Sequence, residues 1–188
     1  MTDPSGKRAR FETTALPLLG VVHRHAVRLT RDAEVARDLV QETCLRAYRT
    51  FDNFRPGTNC RAWLLTILYS IFVNRYRKER REPRTVSLEE LEERFHRSLE
   101  SGDSAPELAL TTWTDPEVET ALEELPDSFR AAVLLVDVEE FSYEEAAAAL
   151  GCPVGTVRSR LSRARRILFA ALQEHARRRG YLKEQAQP

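Results

Sequence analysis

Residues 142–172 read SYEEAAAALGCPVGTVRSRLSRARRILFAAL, an order of local signals that few folds accommodate. Ser142 and Glu145 form a capping box that opens a short Ala-rich helix. Gly151 follows Leu150, where a helix end takes a left-handed residue. Pro153 fits the first turn of a second helix. On that helix Val157, Leu161, Ala164 and Leu168 share one face at helical spacing. Ser159, Ser162, Arg163 and Arg166 share the opposite face, flanked by Arg158 and Arg160. An apolar inner face, a cationic outer face and a sharp turn upstream suit a helix-turn-helix that enters a major groove. The same pattern also fits a plain helical hairpin with a solvated basic face.

The chain has 188 residues and a formal net charge of zero, which hides a strong division. Residues 1–84 carry 17 Lys/Arg and 9 Asp/Glu; residues 85–150 carry 3 and 18; residues 151–188 carry 9 and 2. Two basic ends around an acidic middle suggest two polyanion-binding surfaces held apart. No apolar run is long enough to span a bilayer, and the N-terminal MTDPSGKRARFE lacks the apolar core of a secretory signal. Cys44, Cys60 and Cys152 are far apart and fall at no zinc spacing, so they read as reduced thiols of a cytoplasmic protein.

Pattern reading gives an all-α chain of two small helical domains joined by an acidic linker. Helical segments run over 11–30, 34–50 and 61–81, with FDNFRPGTN as a loop between the last two. On the second segment Ala36, Val40, Cys44, Ala47 and Phe51 mark the buried side; Asp38, Gln41, Glu42, Arg46 and Arg49 mark the other. The domains read as 1–84 and 114–188, with a linker over 85–113 that contains a further capping box at Ser87. The C-terminal domain reads as a four-helix unit, opened by Thr114-Asp-Pro-Glu117 and Pro126-Asp-Ser.

On the third segment Thr66, Ser70, Asn74, Arg77 and Arg81 recur on one polar face. With Asn53, Phe54, Arg55 and Asn59 in the adjoining loop, they suit phosphates and an unstacked single-stranded base. A solvated basic helix end, favoured by the helix dipole, explains the cations equally well. No phosphate-binding glycine loop, HExxH, GxSxG or CxxC occurs, so no catalytic residue, metal or cofactor is expected. Glu139, Glu140, Glu144 and Glu145 read as acids at a helix start.

Taken together, DLVQETCLRAYRTFDNF, RAWLLTILYSIFVNRYRKERR and EEFSYEEAAAALGCPVGTVRSRLSRAR resemble, in order, three segments of bacterial sigma factors of the extracytoplasmic-function type. The resemblance spans nearly the whole chain. It implies a non-enzymatic subunit that binds core RNA polymerase through its β′ clamp and β subunits and directs promoter-specific initiation. It assigns clamp docking to Asp38, Gln41, Glu42 and Arg46. It assigns minus-10 recognition and melting to Asn53, Phe54, Arg55, Asn59, Trp63, Ser70, Asn74, Arg77 and Arg81. For minus-35 recognition it picks Arg158, Ser159 and Arg163; Thr156, Ser162 and Arg166 complete the candidate set, with Arg165 and Arg166 further along the helix and suited to phosphate. An anti-sigma factor is an implied partner, and the linker is expected to thread polymerase toward the RNA path. The chain departs from the family at Ser70, where Asn is frequent, and at Thr66, where Arg is frequent.

Two other classes fit parts of the chain: a stand-alone helix-turn-helix regulator and a small nuclease. The DLVQE segment and the polar stripe separate the first class from a sigma factor, because a regulator needs neither. The second lacks a cluster of metal-binding carboxylates.

Overall fold

A computed structural model describes residues 4–79 and 115–181, with side chains over 6–75 and 115–181. The expected linker over 85–113, Arg81 and the side chain of Arg77 lie outside these. Among the described residues the fold is all-helical. The N-terminal half comprises α1 (Pro4–Thr14), α2 (Leu19–Thr30), α3 (Ala33–Thr50) and α4 (Cys60–Glu79). The C-terminal half comprises α5 (Pro116–Glu124), α6 (Asp127–Val133), a π turn (Leu134–Val138), α7 (Tyr143–Leu150) and α8 (Val154–Arg178).

The segment 11–30 is not one helix. A 3-10 turn at Leu16–Leu18 separates α1 from α2, because Pro17 has no N–H to continue an α-helical ladder. Asp32 caps α3, its side chain accepting from the Glu34 and Val35 amides. The Ser142–Glu145 capping box forms as the sequence indicates, and Gly151 closes α7 with φ of 57°.

Aromatic rings tie α1, α3 and α4 together. Phe11 packs edge-on against Tyr48 and Phe51; Phe51 stacks on Phe54, which leans on Trp63. Such pairs contribute about 0.5–1.5 kcal/mol each beyond area burial.

The two halves are not held apart. One continuous core runs from Phe11 through α4 and α7 to Ala164. Helix α7 lies between α4 and α8, and its run of alanines lets both approach closely. Ala146 to Leu150 are therefore all buried. Polar contacts close the seam. Glu139, after the π turn, lies 2.7 Å from His25 Nε2 and accepts from Arg61 at 2.6 Å. Arg28 pairs with Glu119 at 2.5 Å, and Arg31 with Asp127 at 3.0 Å. Arg130 donates across the seam to the Leu29 carbonyl at 2.9 Å. No helix among the described residues is long and apolar enough to cross a membrane.

Candidate nucleic-acid interface

Helix α8 presents the face expected of it. Val157, Leu161 and Ala164 are buried, while Arg158, Ser159, Ser162, Arg163 and Arg166 are exposed and Thr156 is half-buried. The Ser159 hydroxyl donates back to the Thr156 carbonyl at 3.0 Å. The arginines differ in how they are held. Arg165 is forked onto Asp137 at 2.6 and 3.2 Å, and that pairing raises its pKa further. Arg165 thus has its Nε and one terminal nitrogen engaged within the domain. Arg160 donates to Cys152 Sγ at 3.7 Å. Arg163 and Arg166 form no hydrogen bond or ion pair with any described residue, which leaves their donors available.

Helix α3 turns Asp38 and Gln41 to solvent, with Glu42 and Arg46 half-buried. Glu42 pairs with Arg75 on α4 at 2.5 Å and lies 3.8 Å from Arg46. Val40 and Cys44 are only half-buried; Leu39 and Thr43 fill the core instead. Leu45, at 54% exposure, stands in the middle of this polar face. Sequence pattern alone misses it, because an apolar residue on an amphipathic helix is assigned inward by default.

The expected minus-10 set is divided. Asn53 and Arg55 are exposed on the loop after α3, and Asn74 is half-buried on α4. Four residues are not surface groups here. Phe54 and Trp63 belong to the aromatic core. Ser70 is 2% exposed and its hydroxyl donates to the Ile67 carbonyl at 2.8 Å; Thr66 likewise donates to Ala62 at 2.9 Å. Both residues are thus turned into the core rather than to solvent. Asn59 is occupied as a helix cap, its side-chain oxygen accepting from the Ala62 amide at 3.1 Å.

Glu139 is the other correction. It is not an acid at a helix start: it ends the π turn, and Glu140 with φ of 57° separates it from α7. Burial alone would raise its pKa; the hydrogen bond and charge of His25, with Arg61, outweigh that and hold it below the ordinary carboxylate value. Burial pushes the Cys60 thiol up to about 11, so it stays protonated at neutral pH.

Comparison with known proteins matches both halves. The sigma-70 region 2 family matches residues 16–82, and the sigma-70 region 4 family matches residues 116–168. The chain is 44% identical to the ECF RNA polymerase sigma factor EcfG of Rhodopseudomonas palustris, over 78% of this chain and 76% of that one. It is 34% identical to the RNA polymerase sigma-H factor of Pseudomonas aeruginosa, over 87% and 89%. Among solved structures it is similar to the sigma factor RpoE of Bartonella quintana, crystallised with the anti-sigma factor NepR. There the TM-score is 0.60 and the identity 32%, covering 87% of this chain and 97% of that one. The PhyRSL–NepR complex of Sphingomonas sp. Fr1, at 17% identity and a TM-score of 0.54, shares the fold. Two helical halves, a helix-turn-helix with a free arginine face and this set of relatives lead to one assignment: the chain belongs to the sigma-70 family, as an extracytoplasmic-function sigma factor.

Proposed function

We propose that residues 1–84 dock on the β′ clamp of core RNA polymerase and engage the minus-10 element. Residues 114–188 read the minus-35 element, and the linker over 85–113 runs between them along polymerase. The exposed side of α8 carries this reading: Arg158, Ser159, Ser162, Arg163 and Arg166 face outward above a buried Val157–Leu161–Ala164 seam. Docking falls to Asp38, Gln41, Glu42 and Arg46, with Leu45 as an apolar anchor among them. Minus-10 contact falls to Asn53, Arg55, Asn74, Arg77 and Arg81. Ser70, Phe54 and Trp63 join only if the packing that buries them changes. The polymerase carries out the chemistry. The likeness to RpoE bound to NepR supports an anti-sigma partner. Run-off transcription with core polymerase on a randomised promoter library tests the whole reading. A chain that binds DNA by itself and never retains core polymerase would instead be a stand-alone regulator.

Docking has a direct test. Asp38→Ala with Glu42→Ala should weaken core polymerase binding while circular dichroism stays unchanged. The fold is spared because exposed ion pairs such as Glu42–Arg75 contribute about 0–1 kcal/mol. Unchanged affinity in a fluorescence titration would remove these two residues from the docking face.

Minus-35 readout separates two arginines. Arg163, placed for a bidentate contact with guanine O6 and N7, should cost about 1–3 kcal/mol as Arg163→Ala and relax preference at one or two base pairs. Arg166 lies further along the helix toward the phosphates. Arg166→Ala should weaken all sequences alike and reduce the salt slope by about one. Holoenzyme binding to a library randomised at minus-35 distinguishes them. Uniform weakening by Arg163→Ala would make Arg163 a phosphate clamp.

A further inference from the structure

The arginines of the α8 face are not equally mobile before DNA arrives. Arg158 is exposed, yet its guanidinium lies over the Tyr143 ring, 5.5 Å from the centroid. A cation–π contact holds a guanidinium without using its hydrogen-bond donors. Arg165 is the opposite case: Asp137 engages two of its nitrogens edge-on. Arg158 is therefore biased in direction, with its donors left for a bidentate contact.

Tyr143 is itself fixed at both ends. It is the first residue of α7, immediately after the Ser142 cap, so the capping box sets its backbone. Its side chain is half-buried against the core.

We propose that Tyr143 is a positioning residue for Arg158: its ring sets the direction of the Arg158 guanidinium and so the base pair that Arg158 selects. This rests on the reading of Arg158 as a base contact, and the experiment separates the two. An arginine side chain has much rotamer freedom to lose on binding. Restricting it beforehand favours the one geometry in which both donors meet guanine, and a mismatched base gains nothing from that restriction.

The full chain is assembled with core polymerase and challenged with promoters randomised across minus-35, and retained templates are sequenced. Arg158→Ala should erase preference at one or two positions. Tyr143→Phe, which keeps the ring, should match the parent. Tyr143→Leu, which keeps apolar volume without the ring, should lower preference at the same positions at least five-fold and leave the others intact. Tyr143→Leu added to Arg158→Ala should change nothing further. A parent-like profile for Arg158→Ala would overturn the base-contact reading itself. A flattened Arg158→Ala profile beside a parent-like Tyr143→Leu profile would overturn the positioning role alone. Equal weakening of every template by both Tyr143 variants would make Tyr143 a phosphate contact and overturn it also.

Discussion

Arg130→Ala should lower folding stability by about 3–5 kcal/mol, the cost of removing one partner from a buried charged network. Arg130 is 1% exposed. One of its terminal nitrogens donates to the Leu125 carbonyl at 3.0 Å and the Glu123 carbonyl at 3.3 Å. The other donates to the Leu29 carbonyl at 2.9 Å and to Asp127 at 2.6 Å. These carbonyls belong to the C-terminal ends of α5 and α2, where backbone acceptors lack helical partners. One guanidinium therefore closes two helix ends, one in each half of the chain. Burial, with Arg31 close by, lowers its pKa below the usual arginine value, yet the group stays charged at neutral pH. Arg31 is the matched control. It also reaches the Glu123 carbonyl and Asp127, at 2.8 and 3.0 Å, but its side chain is 47% exposed. Arg31→Ala should cost at most about 1 kcal/mol. Urea midpoints measured side by side check the pair; equal small losses would show that Arg130 carries no special weight.

Glu139→Gln should separate the two halves without melting either. The carboxylate is 4% exposed and accepts from Arg61 beside His25, both in the other half of the chain. Glutamine keeps the shape and one acceptor, so the expected loss is about 2–3 kcal/mol. The radius of gyration by small-angle scattering should rise while helicity holds. The pH dependence has a definite sign. Glu139 has a folded pKa below its ordinary 4.5, so its contribution is complete above about that value. It is lost as pH falls through the lower, folded value. The parent should therefore loosen in acid, and Glu139→Gln should lack the Glu139 part of that slope. An unchanged radius at neutral pH together with an unchanged acid profile would show that Glu139 does not hold the seam.

The helix-turn-helix was legible in the chain because its signals are local. A capping box, a left-handed glycine and a proline act within a few residues, and each appears where the pattern puts it. The α4 stripe misled for the opposite reason. Helical spacing shows that Thr66 and Ser70 share a face with Asn74, but not whether that face meets water or a second domain. Hydroxyls that bond to their own helix can be buried without a distant partner. Glu139 and Arg130 were illegible in another way. Their partners are a histidine and arginine from distant helices, or backbone carbonyls that leave no mark on composition. The polar side of α3, proposed for docking, was readable except for Leu45, where the apolar-inward rule fails; its buried side was read one residue off at Val40 and Cys44, where Leu39 and Thr43 are buried instead.

The shared core also sets a limit on reach. A compact chain of this length has a radius of gyration of about 16 Å and is roughly 40 Å across. Promoter elements centred about 25 base pairs apart stand about 85 Å apart along the duplex. If the two halves read the two elements as proposed, the packed form cannot touch both, and α7 would have to leave α4 before one molecule spans a promoter. On the proposed reading, the packed and spread forms would be two populations, and only the second would bind polymerase productively. If the seam is worth about 3 kcal/mol, it lowers the apparent affinity for polymerase by about 150-fold. The alanines of α7 would in that case tune how much polymerase a cell must hold free before this chain begins to work.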